Sequence, residues 1–375
     1  MTKRCCPLCN TCNSIPIEQI HMSVPADYHL PSSYCIVSCE NCGFVYADTA
    51  AAMDDYDYYY THCNFYGDDS KDDNNYRYDS VEDFLEKYVS KDANLLECGA
   101  GNGRFIRALK QHGYTHLSAA DPSEESVSRM QEAGVQAYIS NIYSEVLPDE
   151  YEKYDAVFLF EVAEHLLFPR KGIANLQAML KPNGFFFISV PDYSQIGEDP
   201  FPIPNHFNLE HINYFSEKSL DYLMAQHGME CVDQKHEGMT LIQIYQKTCL
   251  KPLQIKDNST AYAIQKYLKR QKCQREELNR VIETLREKKC ELAVWGTGSY
   301  VMSLFATTEL QQCNIKCFID NNKIKQGRKM YNYPIYSPAF LKDTPYTILI
   351  CTMLYQEPIQ TQIQEMGIKN TIILL

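Results

Sequence analysis

Two pairs of cysteines, a run of alternate glycines and a handful of histidines are the residues in this sequence whose types and spacing could do chemistry. Cys6-Pro7-Leu8-Cys9 and Cys39-Glu40-Asn41-Cys42 are C-x-x-C pairs set well apart. In a chain whose start has basic residues but no apolar core, and so does not read as a signal peptide, they point to a four-thiolate zinc site. Asn10 and Gly43 follow the two pairs. Both residue types tolerate positive φ, which lets backbone amides turn back toward the sulfurs. Cys9-Asn10-Thr11-Cys12 is also a C-x-x-C, so Cys5 and Cys12 stand as alternatives to Cys6 and Cys9. Four thiolates leave no open coordination position, and the role expected of Zn2+ is structural.

The glycines lie in Leu95-Leu96-Glu97-Cys98-Gly99-Ala100-Gly101-Asn102-Gly103-Arg104-Phe105. Apolar residues run into an acid, then glycines alternate, then Phe105, Ile106 and Leu109 follow at helical spacing. This reads as a buried strand, a tight turn and a helix start. A dinucleotide fingerprint would need a glycine where Arg104 stands. The next apolar stretch ends at Asp121, placed to take the hydroxyls of a ribose as in nucleotide-binding βαβ units.

The E-x-G-x-G-x-G pattern resembles the S-adenosylmethionine (SAM) loop of class I methyltransferases, and the resemblance continues downstream. Residues 154–165 (YDAVFLFEVAEH) look like that family's fourth strand and following turn, and 180–191 (LKPNGFFFISVP) like its helix-to-fifth-strand connection. The resemblance implies SAM contacts from Glu97, Gly99, Ala100, Gly101, Asn102, Gly103, Asp121, Pro122, Asn141 and Glu161. Asn141 sits where the family contacts the adenine edge.

The elements that must position these residues follow from the rest of the chain. At 375 residues, with 45% hydrophobic residues, two or three domains are expected. Residues 1–78 form the cysteine module and a stretch dense in tyrosines and acids. Residues 79–250 alternate strand and helix and end in an antiparallel pair. Residues 251–375 hold a helical connector, where Cys273 marks the place it could break, and a second strand–glycine–helix unit built on Gly296-Thr297-Gly298. The stretch from 51 to 78 has no helical or strand period and reads as a solvated loop or a tyrosine-bearing lid. Val81, Phe84, Leu85 and Tyr88 then give an amphipathic helix, with Ser80 as its expected cap. The fold class expected is α/β: a class I methyltransferase Rossmann-like sheet, flanked by a small N-terminal zinc module and a second C-terminal Rossmann-like domain.

The net charge of −13 argues against a nucleic-acid surface, which needs clustered Lys and Arg. No apolar run reaches the length of a membrane span. Cys98, Cys317 and Cys351 sit singly in apolar strands, as reduced thiols do, which points to a cytoplasmic protein. The sequence leaves the oligomeric state open.

The whole layout resembles the zinc-containing, SAM-dependent C-methyltransferases of deoxysugar nucleotides. Three pieces carry this: the cysteine pairs ahead of the methyltransferase segment, Glu210-His211-Ile212-Asn213-Tyr214-Phe215-Ser216, and Gly296-Thr297-Gly298 followed by Phe318-Ile319-Asp320-Asn321-Asn322-Lys323. The Asp57-to-Thr61 run resembles the tyrosine lid of these enzymes, and the family's tyrosine before the E-H pair is Asn208 here. The resemblance implies a nucleotide sugar as acceptor, methylated at carbon, with O- and N-methylation left open by Asn208. Methyl transfer needs alignment and, for most acceptors, a base of near-neutral pKa. The candidates are His211 with Glu210, then His165, with Tyr59 from the lid. Two other readings stand beside this one: a zinc-module RNA methyltransferase and a non-catalytic SAM-binding protein.

Overall fold

Runs of β-prone residues alternating with amphipathic helices form three sheets in the computed structural model, which describes residues 4–63, 76–201, 206–249 and 255–375. Residues 64–75 of the expected lid, and residues 202–205, lie outside the described residues. The chain divides into two compact units. The first comprises Met1–Glu18, Cys35–Gly197 and Glu210–Ile264, and the second Gln19–Tyr34, Glu198–Leu209 and Gln265–Leu375.

A small sheet joins β1 (Ser14–His21), β2 (Ser33–Cys39), β3 (Val45–Asp48) and the short β9 (Asn213–Tyr214) in that order. The large sheet of the first unit contains β4 (Asn94–Cys98), β5 (His116–Asp121), β6 (Gln136–Ile139), β7 (Tyr154–Phe160), β8 (Leu180–Pro191), β10 (Met229–Glu237) and β11 (Thr240–Lys247). Its order is β10-β11-β8-β7-β4-β5-β6. The strands from β6 to β8 are parallel, and β11 enters antiparallel between β8 and β10. Ala156, Val157, Phe158 and Leu159 of β7 are fully buried, as a central strand covered on both faces requires. From β4 the chain moves outward to β5, and from β7 it moves the other way to β8. The crevice at the carboxyl ends of β4 and β7 is therefore the topological switch point, where open α/β sheets bind ligands.

Helices cover the sheet. α1 spans Met53–His62, α2 Tyr76–Tyr88, α3 Arg104–Gln111, α4 Glu124–Glu132 and α5 Pro169–Met179. Ser123 caps α4 by accepting the Ser126 amide. The cysteine segment shares the first unit's core: Cys6, Leu8, Cys39 and Cys42 belong to the cluster that includes Leu96, Phe186 and Tyr245.

Three expectations need correction. The tyrosine-rich stretch is helical from Met53 to His62, with Tyr56 and Tyr59 buried on one side. Its period escapes an apolar count because the buried positions are tyrosines among aspartates. α2 begins at Tyr76, so Ser80 lies inside it rather than capping it, and its hydroxyl donates to Glu237. The connector is one continuous helix, Ser259–Glu287, running unbroken through Cys273.

In the second unit β12 (Leu292–Trp295), β13 (Ile315–Ile319), β14 (Lys329–Met330), β15 (Tyr333–Tyr336), β16 (Thr347–Ile350) and β17 (Ile372–Leu374) form a sheet ordered β14-β15-β13-β12-β16-β17. All its neighbours are parallel except β14 and β15. At the end of β13, Asp320 accepts the Thr297 hydroxyl and lies 3.7 Å from Lys325 Nζ.

Candidate active site

The turn after β4 is shaped by its glycines. Gly99 has φ +68, and a Cβ there would lie 2.5 Å from Val162 Cγ2, so the turn from β4 can pass against the turn from β7 only without a side chain. Asp121 closes β5 beside it. Its carboxylate accepts the Gly101 amide at 2.8 Å and the Ser123 amide at 2.9 Å. Burial raises its pKa, and those two amides pull it back. Glu161, at the end of β7, holds φ +54, a conformation that costs a non-glycine residue.

The two turns open onto a cavity of about 820 Å³, within the range of small-molecule and cofactor sites. Of the residues expected at the cofactor, Gly99, Ala100, Gly101, Asn102, Asp121, Pro122, Asn141 and Glu161 line it. Glu97 and Gly103 are not part of this lining. Glu97 is buried and accepts the Ile106 amide at 3.2 Å, so it holds the start of α3. α1 closes one side with Met53, Tyr56, Asp57 and Tyr60, and Asn141 donates to Asp57 at 2.8 Å.

The same cavity is also lined by Glu164, His165, Glu210 and His211. Tyr59 is outside the lining and donates its hydroxyl to the Glu210 carboxylate. His165 Nδ1 lies 3.1 Å from the Glu210 carbonyl, and His211 Nδ1 lies 3.0 Å from the Tyr193 hydroxyl. The two imidazoles meet edge to face at 4.8 Å between centroids. Burial lowers the His165 pKa against the opposing pull of the Glu210 charge and carbonyl.

The residue that ties these loops together is Arg4, which sequence reasoning missed. Its guanidinium is buried and donates to the carbonyls of Ala47, Ile212, Leu166 and Leu167 and to the Asn213 side chain. Asn213 in turn donates to the Ala163 and Leu166 carbonyls, and the Ile212 amide to Glu164 O. An arginine beside two cysteines near a chain start gives no local signal for such a task.

Away from the cavity, the sulfurs of Cys6, Cys9, Cys39 and Cys42 all lie within 4.8 Å of one another. Cys6 and Cys42 are 3.6 Å apart, Cys9 and Cys39 3.5 Å. Tetrahedral zinc with Zn–S bonds of about 2.3 Å needs sulfurs roughly 3.8 Å apart, so the set fits the ion. The Leu8 and Cys9 amides donate to the Cys6 sulfur, and the Asn41 and Cys42 amides to Cys39. Asn10 and Gly43 have φ of 62° and 79°, the turned-back geometry this requires. Cys5 and Cys12 are joined as a disulfide and stand outside the set.

Comparison with known proteins bears on this arrangement. A family model described as a methyltransferase domain matches residues 72–234, the stretch that holds the glycine turn, Asp121 and the two histidines of the cavity. These residues form a class I SAM-dependent methyltransferase domain. A second model, C2185-like, N-terminal, matches residues 288–374. Among curated proteins, the chain is similar to a ubiquinone biosynthesis O-methyltransferase of Coxiella burnetii, 27% identical over 111 residues, covering 28% of this chain and 47% of that protein. A protein of the same name from Xylella fastidiosa is 31% identical over 113 residues, covering 28% and 46%. The chain thus spans about half the length of the curated relatives it matches. Similar solved structures include a Pyrococcus horikoshii protein (TM-score 0.40, 18% identity, 50% of this chain and 95% of that one). A second is Burkholderia thailandensis 1,6-didemethyltoxoflavin-N1-methyltransferase with S-adenosylhomocysteine (TM-score 0.38, 20%, 48% and 82%). No helix among the described residues is long and apolar enough to cross a membrane.

Proposed function

We propose that this protein transfers the methyl group of SAM to a small polar acceptor, most specifically a nucleotide-linked sugar. The observation that carries the transferase reading is the single cavity lined both by the glycine turn and Asp121 and by His165, Glu210 and His211. The sulfonium methyl carbon is already electrophilic, so what the protein adds is alignment and a route for the acceptor's proton. In this reading Gly99, Ala100, Gly101 and Asn102 receive the methionine end, Asp121 the ribose and Asn141 the adenine edge, with Gly103 shaping the turn. Glu97 acts by fixing the start of α3. His211 and His165 serve the proton, Tyr59 holds Glu210, and Cys6, Cys9, Cys39 and Cys42 hold a structural zinc.

The nucleotide-sugar acceptor rests on the resemblance of the 210–216 run and of the C-terminal strand–glycine–helix unit. The division into residues 1–78, 79–250 and 251–375 is proposed on the same ground. The O-methyltransferase name of the curated relatives, with Asn208 in place of the deoxysugar family's tyrosine, favours oxygen as the atom methylated. Thiols buried singly, such as Cys98, Cys317 and Cys351, fit a cytoplasmic location.

Calorimetry with S-adenosylhomocysteine tests the assignment. The wild type should bind it, and Asp121→Ala should weaken binding by about tenfold or more, because hydrogen bonds to a charged acceptor are lost. The same variant should also be less stable by about 1–3 kcal/mol, because the Gly101 and Ser123 amides lose their acceptor. Unchanged affinity in Asp121→Ala would refute the assignment.

A further inference from the structure

Glu164 and His165 follow β7, and His211 precedes β9; the fold brings all three to the lining of one cavity. One carboxylate oxygen of Glu164 and one ring nitrogen of each histidine lie within 4.8 Å of one another. Glu164 Oε1 and His165 Nε2 are 3.9 Å apart. Ligand atoms about 2.1 Å from one ion stand roughly 3–4 Å from each other, close to the spacing of this set. Each imidazole also has an orienting partner, the Glu210 carbonyl for His165 and the Tyr193 hydroxyl for His211. Bonds of this kind fix ring tautomer and direction in metal-binding histidines. The two loops are held in register by Arg4 and Asn213 and by the Ile212 amide on Glu164 O. The Glu164 side chain is 1% exposed.

We propose that Glu164, His165 and His211 bind a divalent cation, and that the acceptor presents to it a hydroxyl whose proton the ion makes easier to lose. Two imidazoles and one carboxylate suit a first-row divalent ion and leave positions open for an oxygen ligand. The four-thiolate cluster is closed and soft by comparison, so the two sites select different metals. This inference rests on the methyl-transfer reading and narrows it to oxygen acceptors. The acceptor hydroxyl gives its proton to water. Its oxygen then forms a bond to the methyl carbon as the S–CH3 bond breaks, and that bond's electron pair stays on sulfur, leaving the neutral thioether. The two histidines then act on the proton through the ion rather than by taking it directly.

Titration of the full-length protein with Mn2+, followed by electron paramagnetic resonance, tests the proposal. One Mn2+ per chain should bind while the zinc content stays constant. Glu164→Gln and His211→Gln should each weaken Mn2+ by at least about tenfold, the loss seen even when only an outer partner of a metal ligand is removed. Both should leave S-adenosylhomocysteine affinity unchanged, which also reports that they are folded. Cys39→Ser should leave Mn2+ binding in place. Absence of bound Mn2+ at millimolar concentration, or full binding in both variants, would overturn the proposal. Mn2+ binding that depends on these residues in a protein without affinity for S-adenosylhomocysteine would support the site and sink the methyl-transfer reading instead.

Discussion

His227 shows how much a single half-buried side chain can matter to this fold. It follows the helix Glu217–Ala225, and its Nε2 has no hydrogen-bond partner. Burial first, and then the Arg170 charge, push its pKa down to about 4 from an ordinary 6.5. The folded state therefore prefers the neutral ring. The stability this gives is complete above about pH 6.5 and is lost as the pH falls toward 4, because the unfolded chain takes up the proton first. Urea denaturation at pH 7 and pH 5 should show a larger loss for the wild type than for His227→Gln. An equal loss in both would remove His227 from the account. Glu97 makes a related point: its position before the glycines suggested the cofactor, yet its carboxylate is bonded to an amide of α3. Residue type and spacing indicate where a carboxylate sits along the chain; which group it faces depends on the helix that packs over it.

Among the elements, the turn at Cys39–Gly43 is constrained by its surroundings. Gly43 has φ +79, and a Cβ there would come within 2.2 Å of Asp257 O, whose own amide donates to Cys42 O. Gly43→Ala should cost about 1–2 kcal/mol for the left-handed backbone alone, with the clash added to it. A lower Tm, and faster loss of the proposed zinc to a chelator, are the expected outcomes. A Tm equal to that of the wild type would show that the turn relaxes. The cysteine pairs were legible because C-x-x-C geometry is local. α1 was not, because its buried face is made of tyrosines that an apolar period does not count.

Taken whole, the chain holds two compact units that interleave along the sequence. Chains with separate cores depart from two-state unfolding. Scanning calorimetry should resolve two transitions, and S-adenosylhomocysteine should raise only the one belonging to the first unit, since a ligand stabilises what it binds. A single transition, or two raised equally, would contradict this.

The α/β class and the strand–glycine–helix turn were readable from residue order, because each depends on neighbours within about twenty positions, as do strand alternation, tight turns and the acid that follows a glycine loop. The deciding arrangement of the site was not. His165 meets His211, Tyr59 meets Glu210 and Arg4 spans both loops only once β7 and β9 are in place. Those contacts join residues far apart in the chain, and nothing in local periodicity encodes them. They are set by which strands neighbour one another and by where the buried guanidinium of Arg4 can find carbonyls to satisfy it.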